Sequence, residues 1–180
     1  MNYFESINPT NGKIIKEYLA LSEDELNEIL LNTDKRFDSW KKNSVDERST
    51  YFLEIAEIID QKKNELSELL AAEMGKPIMQ GKVEIEKCAL LCRYYANNAA
   101  LFLKDDIIKT EASKSYATFQ PLGIILGIMP WNFPFWQVFR FVVPTMIAGN
   151  TILLKHAPNV LGCAQAIQQI FEESSIPNNC

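Results

Sequence analysis

Two short apolar runs, Gly123–Met129 (GIILGIM) and Thr151–Leu154 (TILL), bracket a helical stretch, and this arrangement constrains the fold more than any other feature. The first run carries no charge and is closed by Pro130, the pattern of a strand buried on both faces. Pro130 and Pro134 enclose the turn PWNFP, and prolines so close together exclude a continuous helix there. Phe135–Ala148 then reads as a helix with Gly149 as its C-cap. Lys155 falls just past the second run. A strand, a helical crossover and a second strand predict a parallel pair, with Asn132 and Lys155 at its carboxyl edge. In open α/β sheets that edge is where ligands bind. An amide donor and an ammonium group are therefore expected in one crevice.

The 180 residues are enough for one domain, or one and a piece of another, and 47% apolar residues are ample for a core. A net charge of −5 argues against nucleic acid, whose binding needs clustered Lys and Arg. The amino terminus, MNYFESINPTNGK, has no apolar run of signal-peptide length, which predicts a cytoplasmic protein. Ser115–Phe139 holds no charged residue and is long enough to suggest a membrane span. Pro121, Gly123, Gly127, Pro130 and Pro134 interrupt it, and lipid offers nothing to satisfy the broken backbone. A buried strand, turn and helix explain the same apolarity, so no membrane partner is expected.

The chain has four cysteines and one histidine. Cys88 and Cys92 lie one helical turn apart and share a face, but two thiols do not make a zinc site. They are expected in the core, with Cys163 a helix residue of the same kind. Neither a metal site nor disulfides are predicted.

From the amino terminus, Phe4–Ile7 and Ile14–Leu19 read as extended segments around an Asn8–Lys13 turn. Ser22 with Glu25 forms a capping box for a helix to about Lys41, with Leu26, Ile29, Leu30, Phe37 and Trp40 as its apolar stripe. Ser44 with Glu47 repeats the signal for a helix to about Lys62, with Phe52, Ile55, Ile58 and Ile59 inward. A third helix, Glu65–Met74, stops at Gly75. A fourth runs from Ile78 to about Leu103, apolar at Val83, Cys88, Leu91, Cys92, Tyr95 and Phe102. Ile107–Thr110 and Ser115–Gln120 read as paired strands. After Lys155, Asn159 is placed to cap a last helix to about Glu173. Two parallel strands leave one sheet edge unpaired, and exposed edges invite aggregation. The chain reads as if cut before its next strand.

PWNFP followed by AGNTILLK resembles the aldehyde dehydrogenase superfamily, and the likeness covers all 180 residues. INPTNGKII resembles the family's amino-terminal hairpin, EMGKP its helix-ending motif, and QPLGIILGIMPWNFP its first nucleotide-binding strand. LLKHAPNVLGCAQ is similar to the bacterial NAD(P)-dependent succinate-semialdehyde dehydrogenase branch. The resemblance implies an α/β fold, the amino-terminal part of the aldehyde dehydrogenase fold. Residues 1–106 would form the hairpin and helical part of the cofactor-binding domain, and 107–120 a bridging or oligomerisation hairpin. Residues 121–180 would form the first βαβα unit of an incomplete Rossmann-like parallel sheet.

The implied chemistry is oxidation of a small aldehyde to an acid with NAD or NADP. A cysteine thiolate attacks the carbonyl, and a glutamate-activated water hydrolyses the thioester. Asn132 matches the asparagine that donates to the oxyanion; as a bare turn residue it would bond its own backbone instead. Trp131 matches a residue whose backbone lies against the cofactor, and could equally be a buried anchor. Lys155 matches the lysine that reaches the adenosine ribose, against the plainer reading of a solvated strand-end lysine. His156, Ala157 and Pro158 are assigned only proximity to the cofactor. Many NAD-preferring members carry a glutamate where this chain has Pro158, so that route to discrimination against NADP is absent.

Arg140 is the only charge between Ser115 and Leu154, and within VFRFVV it reads as a buried guanidinium needing an anionic partner. It pairs with a carboxylate elsewhere, snorkels to solvent, or matches an arginine that some succinate-semialdehyde dehydrogenases use on the substrate carboxylate. None of the four cysteines falls in the family's nucleophile motif, and the base glutamate and the pyrophosphate-facing glycine motif are also missing. The expectation is thus the amino-terminal part of a dehydrogenase acting on succinate semialdehyde, inactive alone, with the intact enzyme a homo-oligomer. The alternatives are a dehydrogenase for another small aldehyde, or a non-catalytic remnant or split nucleotide-binding module.

Overall fold

The computed structural model describes residues 3–180; Met1 and Asn2 lie outside the described residues. Strands β1 (Tyr3–Ile7) and β2 (Ile14–Leu19) pair antiparallel, with a register shift between Ser6 and Ile7. Their turn is built from its own side chains: Asn8 accepts from the Thr10 N–H at 2.9 Å, and Asn11 accepts from the Lys13 N–H at 2.9 Å. Helix α1 (Glu23–Trp40) opens on the Ser22–Glu25 capping box and α2 (Val45–Gln61) on Ser44–Glu47, as the spacing predicts. Helix α3 (Lys63–Met74) ends where Gly75 takes a left-handed φ of 71°. Helix α4 (Ile78–Phe102) follows at once.

The core sits where α2 and α4 pack on the helix after the PWNFP turn, with α3 laid against α4. Phe52, Ile55 and Ile59 of α2, Leu66 and Leu70 of α3, and Ile85, Cys88 and Cys92 of α4 are all buried. Each such large apolar side chain contributes about 1.5–3 kcal/mol on transfer from water. Two predicted stripes need correction. Along α1, Trp40 is buried but Leu26 and Leu30 are exposed, because little of that helix is covered among the described residues. Along α4, Val83 and Phe102 point outward; the inward face is Gly81, Glu84, Ile85, Cys88, Ala89, Cys92 and Ala99. That spacing of three and four is regular, but it places a glutamate inside.

The paired segments before the central unit shorten to β3 (Asp106–Ile107) and β4 (Tyr116–Ala117), exposed throughout. Strand β5 (Ile124–Ile128), helix α5 (Trp136–Ile147), strand β6 (Thr151–Lys155) and helix α6 (Leu161–Glu173) complete the chain. The strands β5 and β6 are parallel, from Ile124 opposite Thr151 to Ile128 opposite Lys155, so Lys155 is the last strand residue rather than the first beyond it. Asn150 ties the two strand starts, accepting from the N–H groups of Leu122 at 2.7 Å and Gly123 at 3.2 Å. The expectation that β5 is buried on both faces fails for one of them. Gly127 is buried under the ring of Phe141 from α5, whereas Leu126 and Ile128, on the other face, are 60% and 68% exposed. No second layer covers that face among the described residues. No described helix is long and apolar enough to cross a membrane.

Candidate functional site

The carboxyl edge of the parallel pair carries the residues the sequence singles out. The N–H of Met129 donates to the carbonyl of Lys155 at 3.0 Å, closing the ladder immediately before the PWNFP turn. Trp131, Asn132 and Lys155 are all exposed there. The side-chain amide of Asn132 has no hydrogen-bond partner among the described residues, so it does not bond its own turn. Lys155 is likewise in no ion pair among them. An amide donor and an ammonium group thus stand open to solvent at one edge. Lys155, His156 and Pro158 also line one end of an apolar groove of about 1340 Å³ that runs along β6 between α1 and α6.

What holds the turn in place comes from far away in the chain. Lys76, 7% exposed, forms a buried ion pair with Glu84, 4% exposed. Its Nζ also donates to the backbone carbonyl of Asn132 at 3.2 Å and lies 4.0 Å from the centre of the Phe133 ring. Glu84 Oε1 accepts from the N–H groups of Phe135 and Trp136, both at 3.0 Å. A carboxylate therefore caps the amino end of α5, where the helix dipole favours negative charge. The opposite end of α5 is held by donors: Trp40 Nε1 bonds the Met146 carbonyl at 3.0 Å, and Arg48 Nε the Ile147 carbonyl at 2.7 Å. Arg48 also donates to the carbonyl of Asn43, and burial lowers its pKa.

Arg140 is not the buried guanidinium its apolar neighbours suggest. It lies on the outer face of α5, exposed, with no ion pair among the described residues. The inward face of that helix is Val138, Phe139, Val142, Val143, Met146 and Ile147, which leaves position 140 outside. The buried arginine of this fold is Arg48. One turn before Arg140, Trp136 lines a slot of about 460 Å³ together with Phe133, Met79, Val83 and Lys87. The Lys87 ammonium sits 3.8 Å from the centre of the Trp136 ring.

His156 is buried at the end of β6, and both ring nitrogens are engaged. Nδ1 accepts from the N–H of Ala157 at 2.8 Å, which leaves the proton on Nε2 to donate to the Pro134 carbonyl at 2.9 Å. Burial lowers the imidazole pKa below its ordinary value. The neutral ring thus ties the strand end to the PWNFP turn. Ala157 is buried beside it and Pro158 is exposed. Asn159 does not cap the last helix: the residue at the cap is Val160, without a side-chain bond. Glu73 performs the task from α3, its two oxygens accepting from the N–H groups of Gly162 and Cys163, each at 2.8 Å. The same carboxylate accepts from Ser6 Oγ at 2.5 Å, which brings the β1 strand into the network.

No thiol among the described residues is activated. Cys88, Cys92 and Cys163 are buried, and desolvation raises each well above the ordinary thiol range. Cys180 is half-buried and pushed up to about 12. No cluster of His, Cys, Asp and Glu suited to a metal ion occurs among the described residues.

Glu73, Lys76, Glu84 and Arg48 also build the site, and no sequence motif marks them as doing so. One signal was present for Glu84: it shares the spacing of Gly81, Ile85 and Cys88, so a charge sat on the buried face. For Glu73 and Lys76 the only sign was the EMGKP run, read as a helix stop.

The chain matches the aldehyde dehydrogenase family over residues 1–180. It is 44% identical over 172 residues to a Synechocystis protein named "Probable succinate-semialdehyde dehydrogenase", covering 96% of this chain and 38% of the relative. It is 40% identical to the Escherichia coli succinate semialdehyde dehydrogenase, covering 96% of this chain and 37% of that protein. The crystal structure of succinic semialdehyde dehydrogenase from Streptococcus pyogenes with NADP+ superposes with a TM-score of 0.94 at 26% identity, over 98% of this chain and 39% of that one. The chain therefore spans about two fifths of the length of the relatives it matches. By the extent of these matches, and with the same α/β architecture, the chain belongs to the aldehyde dehydrogenase family.

Proposed function

We propose that this chain supplies the oxyanion donor and part of the nucleotide site of an NAD(P)-dependent aldehyde dehydrogenase that oxidises succinate semialdehyde to succinate. The observation that carries the reading is the Asn132 amide, without a hydrogen-bond partner among the described residues, at the same sheet edge as Lys155, in no ion pair among them. An amide carried on a fixed turn, with no bond to the described residues, can donate to a carbonyl oxygen as negative charge develops there. Such a donor typically contributes about 2.7–4 kcal/mol of barrier lowering. The relatives named succinate-semialdehyde dehydrogenase support the choice of aldehyde.

A nicotinamide cofactor would supply the hydride acceptor. The residues present fit it: Lys155 offers an exposed ammonium to ribose hydroxyls, Trp131 and Asn132 stand exposed on the turn, and His156 with Ala157 fixes the backbone that carries Pro158 outward. Pro158 puts no carboxylate where a 2′-phosphate would be repelled, so both NAD and NADP are accommodated. Arg140, exposed on α5 beyond the Trp136 slot, is available to a substrate carboxylate. The raised thiol pKa values support a further part of the reading, that these 180 residues have no turnover on their own, since the thiolate is the nucleophile. The test has two arms. The purified 180-residue chain with succinate semialdehyde and NADP is expected to form no NADPH, and the full-length enzyme is expected to prefer the semialdehyde over butanal. Turnover by the chain alone, or equal specificity for both aldehydes, would overturn the corresponding part.

A further inference from the structure

We infer that Lys76 is a positioning residue, holding Asn132 in its productive place through the backbone of the turn; this rests on the oxyanion reading of Asn132 given above. The bond of Lys76 Nζ to the Asn132 carbonyl, at 3.2 Å, grips the peptide unit that leaves Asn132. The ring of the next residue, Phe133, lies 4.0 Å from the same ammonium, so two consecutive residues of the turn rest on one cation. Glu84 pairs with that cation and takes the N–H groups of Phe135 and Trp136 at 3.0 Å, so it fixes the other side of the turn. Pro134 is held between them through His156, at 2.9 Å. Every residue from Asn132 to Trp136 is thereby anchored to α3–α4 or to the end of β6, while the Asn132 side-chain amide has no partner among the described residues.

The arrangement is more than a buried ion pair placed for stability. An isolated buried pair is often replaceable by apolar residues without loss. Here both partners spend their remaining hydrogen bonds on one five-residue segment, and that segment carries the free amide. A donor must be aimed within a fraction of an ångström of the forming oxyanion, and misplacement of about 1 Å costs on the order of a hundredfold in rate.

A double-mutant cycle in the full-length enzyme tests this, with Lys76→Met, Asn132→Ala and the combination. Asn132→Ala is expected to lower kcat by about a hundred- to a thousandfold. Lys76→Met is expected to lower kcat by about ten- to a hundredfold with little change in KM for the cofactor, and to add less than about twofold on top of Asn132→Ala. If Lys76→Met lowers kcat by the same factor in both backgrounds, its role is structural and the inference fails. If Asn132→Ala leaves kcat unchanged, the oxyanion reading itself fails, which is a different result. Lys76→Arg is carried through the same cycle, since it keeps a cation for Glu84 while changing the reach to the Asn132 carbonyl. On the 180-residue chain, hydrogen exchange at the Phe135 and Trp136 amides is expected to speed up in Lys76→Met. Unchanged exchange there would also count against the clamp.

Discussion

Glu73 caps a helix from 89 residues away in the chain: its carboxylate accepts the Gly162 N–H at 2.8 Å. Together with the Cys163 N–H bond it joins α3 to α6, and it explains why position 162 is glycine. A Cβ built on Gly162 would lie 2.7 Å from Glu73 Oε1 and 2.8 Å from its Cδ, closer than real atoms approach. Alanine has the higher helix propensity by about 1 kcal/mol, so local preference and tertiary contact pull in opposite directions. Gly162→Ala is expected to destabilise the chain by about 1–2 kcal/mol, because Glu73 must leave its cap. In a Glu73→Ala background the clash is gone, and the same substitution is expected to stabilise by about 0.5–1 kcal/mol. Urea denaturation of the four proteins reads this directly, and an unchanged sign in the second background would refute it.

Glu73→Gln alone keeps one acceptor oxygen and turns an amide nitrogen toward a backbone donor. The loss is expected to be about 1–3 kcal/mol, measured as a lower urea midpoint with the slope unchanged.

His156 gives a pH dependence of known sign. Burial lowers its pKa in the folded chain relative to the ordinary value of 6.5. The unfolded chain therefore binds the proton more readily, and stability rises with pH across this range. The contribution of the neutral ring is present above the unfolded value and is lost as pH falls from there through the folded one. Between about pH 7.5 and about pH 5.5 the wild-type urea midpoint is expected to fall further than that of His156→Gln. Parallel curves for the two proteins would show that the ring is not held neutral.

The proposed carboxylate role of Arg140 can be tested apart from architecture, since the residue is exposed and in no ion pair among the described residues. Arg140→Ala in the full-length enzyme is expected to raise KM for succinate semialdehyde about tenfold or more and to leave butanal kinetics nearly unchanged. An equal loss on both aldehydes would rule out a carboxylate role. The melting temperature is expected to stay within a degree or two, as for most surface substitutions.

Pro158→Glu introduces a carboxylate at an exposed position three residues beyond the end of the parallel strand. Repulsion of a 2′-phosphate is expected to weaken NADP relative to NAD by about tenfold, or about 1.4 kcal/mol. The ratio of KM values for the two cofactors is the measurement, and an unchanged ratio would place the ribose elsewhere.

Features settled within a few residues are legible in the sequence. Ser22 with Glu25 and Ser44 with Glu47 start their helices because both partners of each capping box sit in the same turn. Gly75 ends α3 because φ of 71° is open to glycine without strain. The parallel pair, the turn between its prolines, and the placing of Asn132 and Lys155 at one edge follow from the order of apolar runs and breakers. Which charges go inside, and what they hold, depends on long-range packing. Arg140, flanked by apolar residues, is exposed because α5 packs its other face, while Arg48, in a polar stretch, is buried on the carboxyl end of that same helix. Asn159 stood ready as a local cap, yet Glu73 took the place across 89 residues. The physical reason is common to all of these. A backbone group at a buried helix end must be satisfied by whatever side chain the packing delivers, and neighbours in sequence have no privileged claim on it.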